Sequence, residues 1–183
     1  MNTDERTKLS KAMSLLLRHQ PERGHLTLDQ QGWVSLDSLV EGLSAVGIQS
    51  TRGHVLEVIA QCSKQRFSWD KLRDQVRANQ GHSVDVDLNL SPQEPPMILY
   101  HGTVSRFLES IRVGGLQKRK RHHVHLSEDL PTAKNVGKRR GHAIILQVDA
   151  MHMVEDGYAF FRSHNGVWLT DHVPPAYLRF PTR

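Results

Sequence analysis

Four short stretches carry side chains suited to chemistry: Arg18-His19, Lys64-Gln65-Arg66, Tyr100-His101-Gly102-Thr103 and Val136-Gly137-Lys138-Arg139-Arg140-Gly141. All but the third are cationic, and none contains a carboxylate. Arg presents a planar fork of donors that matches phosphate oxygens. The missing Asp or Glu argues against activation of a hydroxyl or a water. A phosphate that is itself the nucleophile needs no base. It needs orientation, and then charge stabilisation as bonds to phosphorus change.

The elements that must position these groups follow from the apolar spacing. Leu9, Ala12, Met13, Leu16 and Leu17 keep the i, i+3, i+4, i+7, i+8 rhythm of a helix over about Thr3 to His19. Thr3 is the expected N-cap, and Gln20-Pro21 ends the helix. At about 100° per residue, Arg18 projects nearly opposite the apolar stripe and His19 lies on its flank. Ser35 caps a second helix with Leu36, Leu39, Val40, Leu43 and Val46 on one face, closed by Gly47. Thr51 caps a third, with Val55, Val58, Ile59 and Cys62 inward. Gln65 to Trp69 and Gln75 to Ala78 flank a turn as a hairpin. Three helices followed by a hairpin predict a winged-helix lobe over residues 1–90.

Three prolines in Ser91-Pro92-Gln93-Glu94-Pro95-Pro96 predict a linker over 91–96. The remainder, 97–183, mixes short strands with short helices. Strands are expected at Met97 to His101, His123 to Leu126, Ala143 to Val148, Tyr158 to Phe161, Val167 to Leu169 and Tyr177 to Phe180. Helices are expected at Ser105 to Val113 and Asp129 to Val136. No long helix alternates with these strands, so a small α+β sheet sandwich fits better than a doubly wound sheet.

Composition narrows the class. The chain has 183 residues, enough for one domain or two small lobes. The formal net charge is +5, all of it from residues 91–183, with thirteen Lys/Arg against eight Asp/Glu. Residues 1–90 balance at eleven of each, and no helix there is rich enough in Lys/Arg to read duplex DNA. Lys118-Arg119-Lys120-Arg121 is a basic run, read as a solvated loop or an RNA backbone contact. Cys62 is the single cysteine, which excludes an internal disulfide and fits a reducing, cytoplasmic setting. No apolar run is long enough for a membrane span. P-loop and dinucleotide fingerprints are absent. Cys62 and Arg66 lie too close together for a cysteine phosphatase loop. Twelve histidines raise the question of metal, but no His-Glu-x-x-His occurs and none is expected to be bound.

Taken in order, the four stretches resemble the RNA 2′-phosphotransferase family (the KptA group). Gln80-Gly81-His82-Ser83, His123-Val124-His125-Leu126-Ser127 and Asn165-Gly166-Val167-Trp168-Leu169-Thr170 extend the likeness from about residue 8 to 180. The resemblance implies an N-terminal winged-helix, RNA-binding lobe and a C-terminal ADP-ribosyltransferase-like, NAD-binding lobe, with the active site in the cleft between them. It implies an NAD-dependent, tRNA-processing type of reaction in two steps. An internal 2′-phosphate of RNA attacks the nicotinamide-bearing ribose carbon, releasing nicotinamide and leaving an ADP-ribosylated phosphate. The neighbouring ribose 2″-hydroxyl then attacks phosphorus, giving 2′-hydroxyl RNA and ADP-ribose 1″,2″-cyclic phosphate.

Carried over residue by residue, Arg18, His19, Arg66 and Arg139 engage the phosphate and are catalytic, with Lys64 a helper. His101, Gly102, Thr103 and Ser127 match positions that contact NAD. His82 is a candidate RNA contact or an ordinary loop histidine, and Thr103 also suits a helix cap. Arg140 stands where the family pattern has His, leaving open which of Arg139 and Arg140 faces the cleft; register favours Arg139. Protein-modifying relatives place a catalytic Glu on a late strand, and this chain has no acid from Asn165 to Thr170. The expected partners are an RNA bearing an internal 2′-phosphate and NAD, with no membrane and a monomeric enzyme. The competing readings are an ADP-ribosyltransferase that caps terminal nucleic-acid phosphates, and a non-enzymatic winged-helix nucleic-acid-binding protein.

Overall fold

The computed structural model describes residues 1–181, with the side chain of Arg140 outside that description. The chain divides into two compact units, Met1–Asn89 and Leu90–Arg183, each with its own apolar core.

In the first unit, α1 spans Thr3–Arg18 and buries Leu9, Met13, Leu16 and Leu17. Its N-cap is Asn2, not Thr3. Asn2 Oδ1 accepts from Glu5 N at 2.9 Å, while Glu5 Oε2 accepts from Asn2 N at 2.9 Å. The Asn-x-x-Glu spacing decides between two adjacent capping residues, because only Asn2 has the partner three positions on. A two-residue strand, β1 (Val34–Ser35), leads into α2 (Leu36–Ala45), whose cap Ser35 accepts from Ser38 N at 3.0 Å. Gly47, at φ +79°, turns the chain out of α2. α3 (Arg52–Gln61) starts at Thr51 and buries Val55 and Val58. Strands β2 (Phe67–Asp70) and β3 (Gln75–Ala78) pair antiparallel, and β1 completes the sheet in the order β1-β3-β2. The pairing of Val34 with Val76 ties the start of α2 to this sheet. Cys62 is half-buried at the C-cap of α3 rather than inside its core face.

The second unit is built from short antiparallel sheets. Its longest strands, β4 (Ile98–Thr103) and β7 (Ile144–Asp149), pair along their whole length. Between them come α4 (Ser105–Gly114), β5 (Leu116–Gln117), β6 (Val124–Leu126) and α5 (Leu130–Gly137). After β7 follow α6 (Ala150–Glu155), β8 (Phe161–Arg162), β9 (Trp168–Thr170), β10 (His172–Val173) and β11 (Leu178–Arg179). The sheets run β11-β7-β4, β6-β9-β8 and β10-β5. Leu99, Leu146, Val148, Met153 and Phe160 fill the core. Segment 91–96 is not a free linker. It belongs to this unit, where Gln93 N donates to Phe160 O at 2.8 Å and Pro92 bridges to Phe161.

Helix α5 packs directly on β4. A Cβ at Gly102 would fall 1.9 Å from Ala133 O and 2.9 Å from Gly137 N. One at Gly137 would meet Ala143 Cβ at 2.9 Å. Two glycines at one crossing let the backbones touch, and the short turn Lys138–Arg140 leaves from that contact.

Candidate active site

In the first unit the chemistry gathers where α1 ends. Arg18, the last residue of α1, is half-buried, with its guanidinium carbon 5.8 Å from the centre of the Phe67 ring. Its Nη2 donates to Arg66 O at 3.3 Å. That bond links the helix end to the loop between α3 and β2. His19, the C-cap residue, places Nδ1 2.9 Å from Ser83 Oγ. Ser83 N donates to Arg18 O at 2.8 Å, so residues 18, 19 and 83 form one hydrogen-bonded corner.

Loop 62–66 is held by a residue that sequence reasoning missed, Asn79 at the end of β3. Asn79 is 2% exposed. Its Nδ2 donates to Gln65 O and its Oδ1 accepts from Ser68 Oγ, both at 2.6 Å, while its backbone N donates to Arg66 O at 2.9 Å. Gln65 sits at φ +42°, a left-handed conformation that side chains other than Gly, Asn and Asp rarely adopt. The Asn79 bonds hold that turn, and the turn sets Lys64 and Arg66 on either side of it. Arg66 Nη1 also reaches Cys62 Sγ at 3.5 Å. His19, Lys64 and Arg66 line one open groove of about 480 Å³.

His82 lies elsewhere in chemical terms. It is 1% exposed, and its Nε2 would be 3.5 Å from a Cβ at Gly32. Burial takes its ring away from solvent. In the Gln80–Ser83 stretch, Ser83 touches the site through His19.

In the second unit, His101 is half-buried on β4 and its Nδ1 lies 3.1 Å from His125 O. Ser127 and Tyr100 exchange backbone hydrogen bonds, each at 2.8 Å, which joins the end of β6 to β4. Gly102 is fixed by the α5 contact described above. Thr103 is 7% exposed at the end of β4, and it is not a helix cap: the N-cap of α4 is Val104, without a side-chain bond. His101 and Ser127 thus lie where β4 meets β6, and Gly102 and Thr103 continue β4 beyond that point. Arg139 is exposed on the turn after α5. The Arg140 side chain lies outside the described residues, so geometry offers no comparison between the two. The late strand β9 is buried at all three positions, and Thr170 Oγ1 donates to Ala159 O at 2.9 Å. The first acid after it, Asp171, accepts from Lys118 at 2.8 Å.

Beside the basic run, His123 is packed. His123 lies 5.6 Å from the Phe161 ring, and burial lowers its pKa, with Asp171 opposing. Among the described residues no three His, Cys, Asp or Glu side chains are grouped as a metal site would require. No helix among them is long and apolar enough to cross a membrane.

Comparison with known proteins matches most of the chain to one family. Residues 4–172 match the family model described as RNA 2′-phosphotransferase, Tpt1 / KptA family. A probable RNA 2′-phosphotransferase of Streptomyces coelicolor is 51% identical over 181 residues, covering 99% of this chain and 98% of its own. That of Rhodopirellula baltica is 53% identical over 176 residues, covering 94% and 95%, and that of Trichormus variabilis is 48% identical over 178 residues, covering 97% and 98%. With both cationic stretches of the first unit and the β4 junction of the second inside the matched span, the chain belongs to the RNA 2′-phosphotransferase family.

Proposed function

We propose that the protein is an NAD-dependent RNA 2′-phosphotransferase that removes an internal 2′-phosphate and leaves a 2′-hydroxyl. The observation that carries this reading is the corner at the end of α1. Arg18 is bonded to the backbone of Arg66, His19 to Ser83, and His19, Lys64 and Arg66 line one groove without a carboxylate. Such a set binds a dianion and offers no carboxylate base to a water. Guanidinium groups already fixed by packing lose little freedom on binding, so their donors favour an oriented phosphate.

NAD enters as the second substrate. His101 and Ser127 stand where β4 joins β6, Thr103 lies two positions further along β4, and the adjacent Glu128 carboxylate is taken by Arg162 at 2.9 Å. This donor set fits ribose hydroxyls and a diphosphate. NAD supplies a ribose carbon whose bond to nicotinamide breaks, the electron pair leaving with nicotinamide, as a 2′-phosphate oxygen bonds to that carbon. In the second step the ribose 2″-oxygen bonds to phosphorus, the bond to the RNA 2′-oxygen breaks, and the 2″-hydroxyl proton passes overall to that oxygen. Arg18, His19 and Lys64 hold the phosphate through both steps. Arg66 and Arg139 stabilise the charge that rises at phosphorus in the second. In this reading the first unit is the winged-helix, RNA-binding part and the second the ADP-ribosyltransferase-like part, working in the cytoplasm.

Incubation with NAD and an oligonucleotide carrying one internal 2′-phosphate tests the proposal. The expected products are 2′-hydroxyl RNA, nicotinamide and ADP-ribose 1″,2″-cyclic phosphate in equal amounts. An ADP-ribosylated RNA that persists without dephosphorylated product would instead make the protein a capping transferase. No release of nicotinamide would remove the enzymatic reading.

A further inference from the structure

The reaction above uses only one end of the groove in the first unit. From His19, Lys64 and Arg66 the same groove continues along α1 to Ser10, Lys11 and Arg6. The first unit is charge-balanced, eleven Lys/Arg against eleven Asp/Glu, yet the groove lining has four Lys/Arg and no acid. Glu57, which pairs with Arg6 at 3.5 Å, is not part of that lining. Lys11 is exposed and has no ionic partner among the described residues. Thr7, Ser10 and Ser14 share its face of α1 and add hydroxyl donors. No Phe, Tyr or Trp lines the groove, so beyond His19 bases have no stacking platform there.

We infer that this outer groove is a track for single-stranded RNA, contacting the phosphodiester backbone on one side of the 2′-phosphate without reading its sequence. The inference rests on the proposed function, which puts the reacting phosphate at the His19 end. Lys11 and Arg6 lie about 12 and 20 Å along the helix axis from His19. At a rise of about 3.4 Å per stacked nucleotide, they meet phosphates roughly three to six nucleotides away. Cations with hydroxyls and no rings recognise the feature every nucleotide shares, so contact here adds affinity and salt dependence but no sequence preference.

Fluorescence anisotropy distinguishes the outcomes. The probes are an RNA trinucleotide with a central 2′-phosphate, and the same RNA extended by about six nucleotides on its 5′ or its 3′ side. One extension is expected to tighten binding about tenfold and to steepen the salt dependence by roughly one backbone contact or more. Lys11→Glu should abolish that gain, and Lys11→Gln reduce it, while turnover of the trinucleotide with NAD stays at the wild-type rate. Equal gain from both extensions, gain from neither, or a gain that survives Lys11→Glu overturns the track. If the wild-type protein turns over none of the three RNAs, the proposed function itself fails and the track fails with it. Turnover of the trinucleotide without a gain on extension overturns the track alone.

Discussion

Arg139 carries the most specific consequence at the scale of single residues. If it acts when charge rises at phosphorus, Arg139→Ala should bind NAD normally and slow the second step about a hundredfold or more. ADP-ribosylated RNA should then accumulate in a mass-resolved time course, and release of 2′-hydroxyl RNA at the wild-type rate would remove Arg139 from that step. Under the proposed function, Ser83 acts one remove from the chemistry, by fixing the His19 ring. Losing one such bond costs about 1 kcal/mol, so Ser83→Ala should lower turnover roughly fivefold. Its melting temperature should hardly move, because Ser83 is exposed. A third residue-scale outcome concerns α6. His152 Nδ1 lies 2.9 Å from Asp149 Oδ2, and this hydrogen bond raises the His152 pKa above its ordinary 6.5. The same bond, with Arg179 at 3.1 Å adding charge, lowers that of Asp149 below 3.8. The pair therefore supports folding fully between about those two values. It weakens as pH rises through the raised His152 value or falls through the lowered Asp149 value. NMR titration should place the His152 midpoint above 6.5, and Asp149→Asn should lower it, with Glu155 and Asp156 still holding it up in part.

Among the elements, the longer helices were legible in the chain and the contacts between them were not. α1, α2 and α3 each show their buried face at three- and four-residue spacing, since each packs only one side against a core. The two-residue β1 and the six-residue α6 are too short to show any period. Arg18, His19, Lys64 and Arg66 stood out by type and order. Asn79 did not, because a buried amide becomes informative only once its partners 11 and 14 positions away are known. Asn79→Ala leaves the Gln65 carbonyl without that donor and should cost about 2 kcal/mol in stability. Chemical denaturation gives that cost, and the loosened 62–66 loop should raise the Michaelis constant for the phosphorylated RNA. Gly102 matches a family position that contacts NAD, and it also lets α5 pack against β4. Gly102→Ala drives a methyl into the Ala133 carbonyl and should cost about 3 kcal/mol or more, visible as a melting point lower by roughly 6–12 °C.

For the whole molecule, two cores imply two separately addressable halves. Residues 1–89 and 90–183 bury separate apolar sets. Under the proposed function the two substrates also divide between them. Hydrogen exchange should show NAD protecting amides of β4 and the end of β6. A 2′-phosphorylated RNA should protect the end of α1, loop 62–66 and residues near 83. RNA protection confined to the second unit would contradict the assignment of the first to RNA. The overall charge gave little warning of this division. All the net positive charge falls in the second unit, while the corner assigned to the phosphate lies in the neutral one, where the cations are grouped locally.

The position of Cys62 has a practical side. It is the sole thiol of the chain, half-buried on the wall of the groove, with Arg66 Nη1 3.5 Å away. The molecule thus holds a single built-in attachment point for a dye or spin label, sited within a few ångströms of an arginine assigned to the phosphate and needing no engineered cysteine. Whatever enters the groove reports itself there, as a slower rate of labelling.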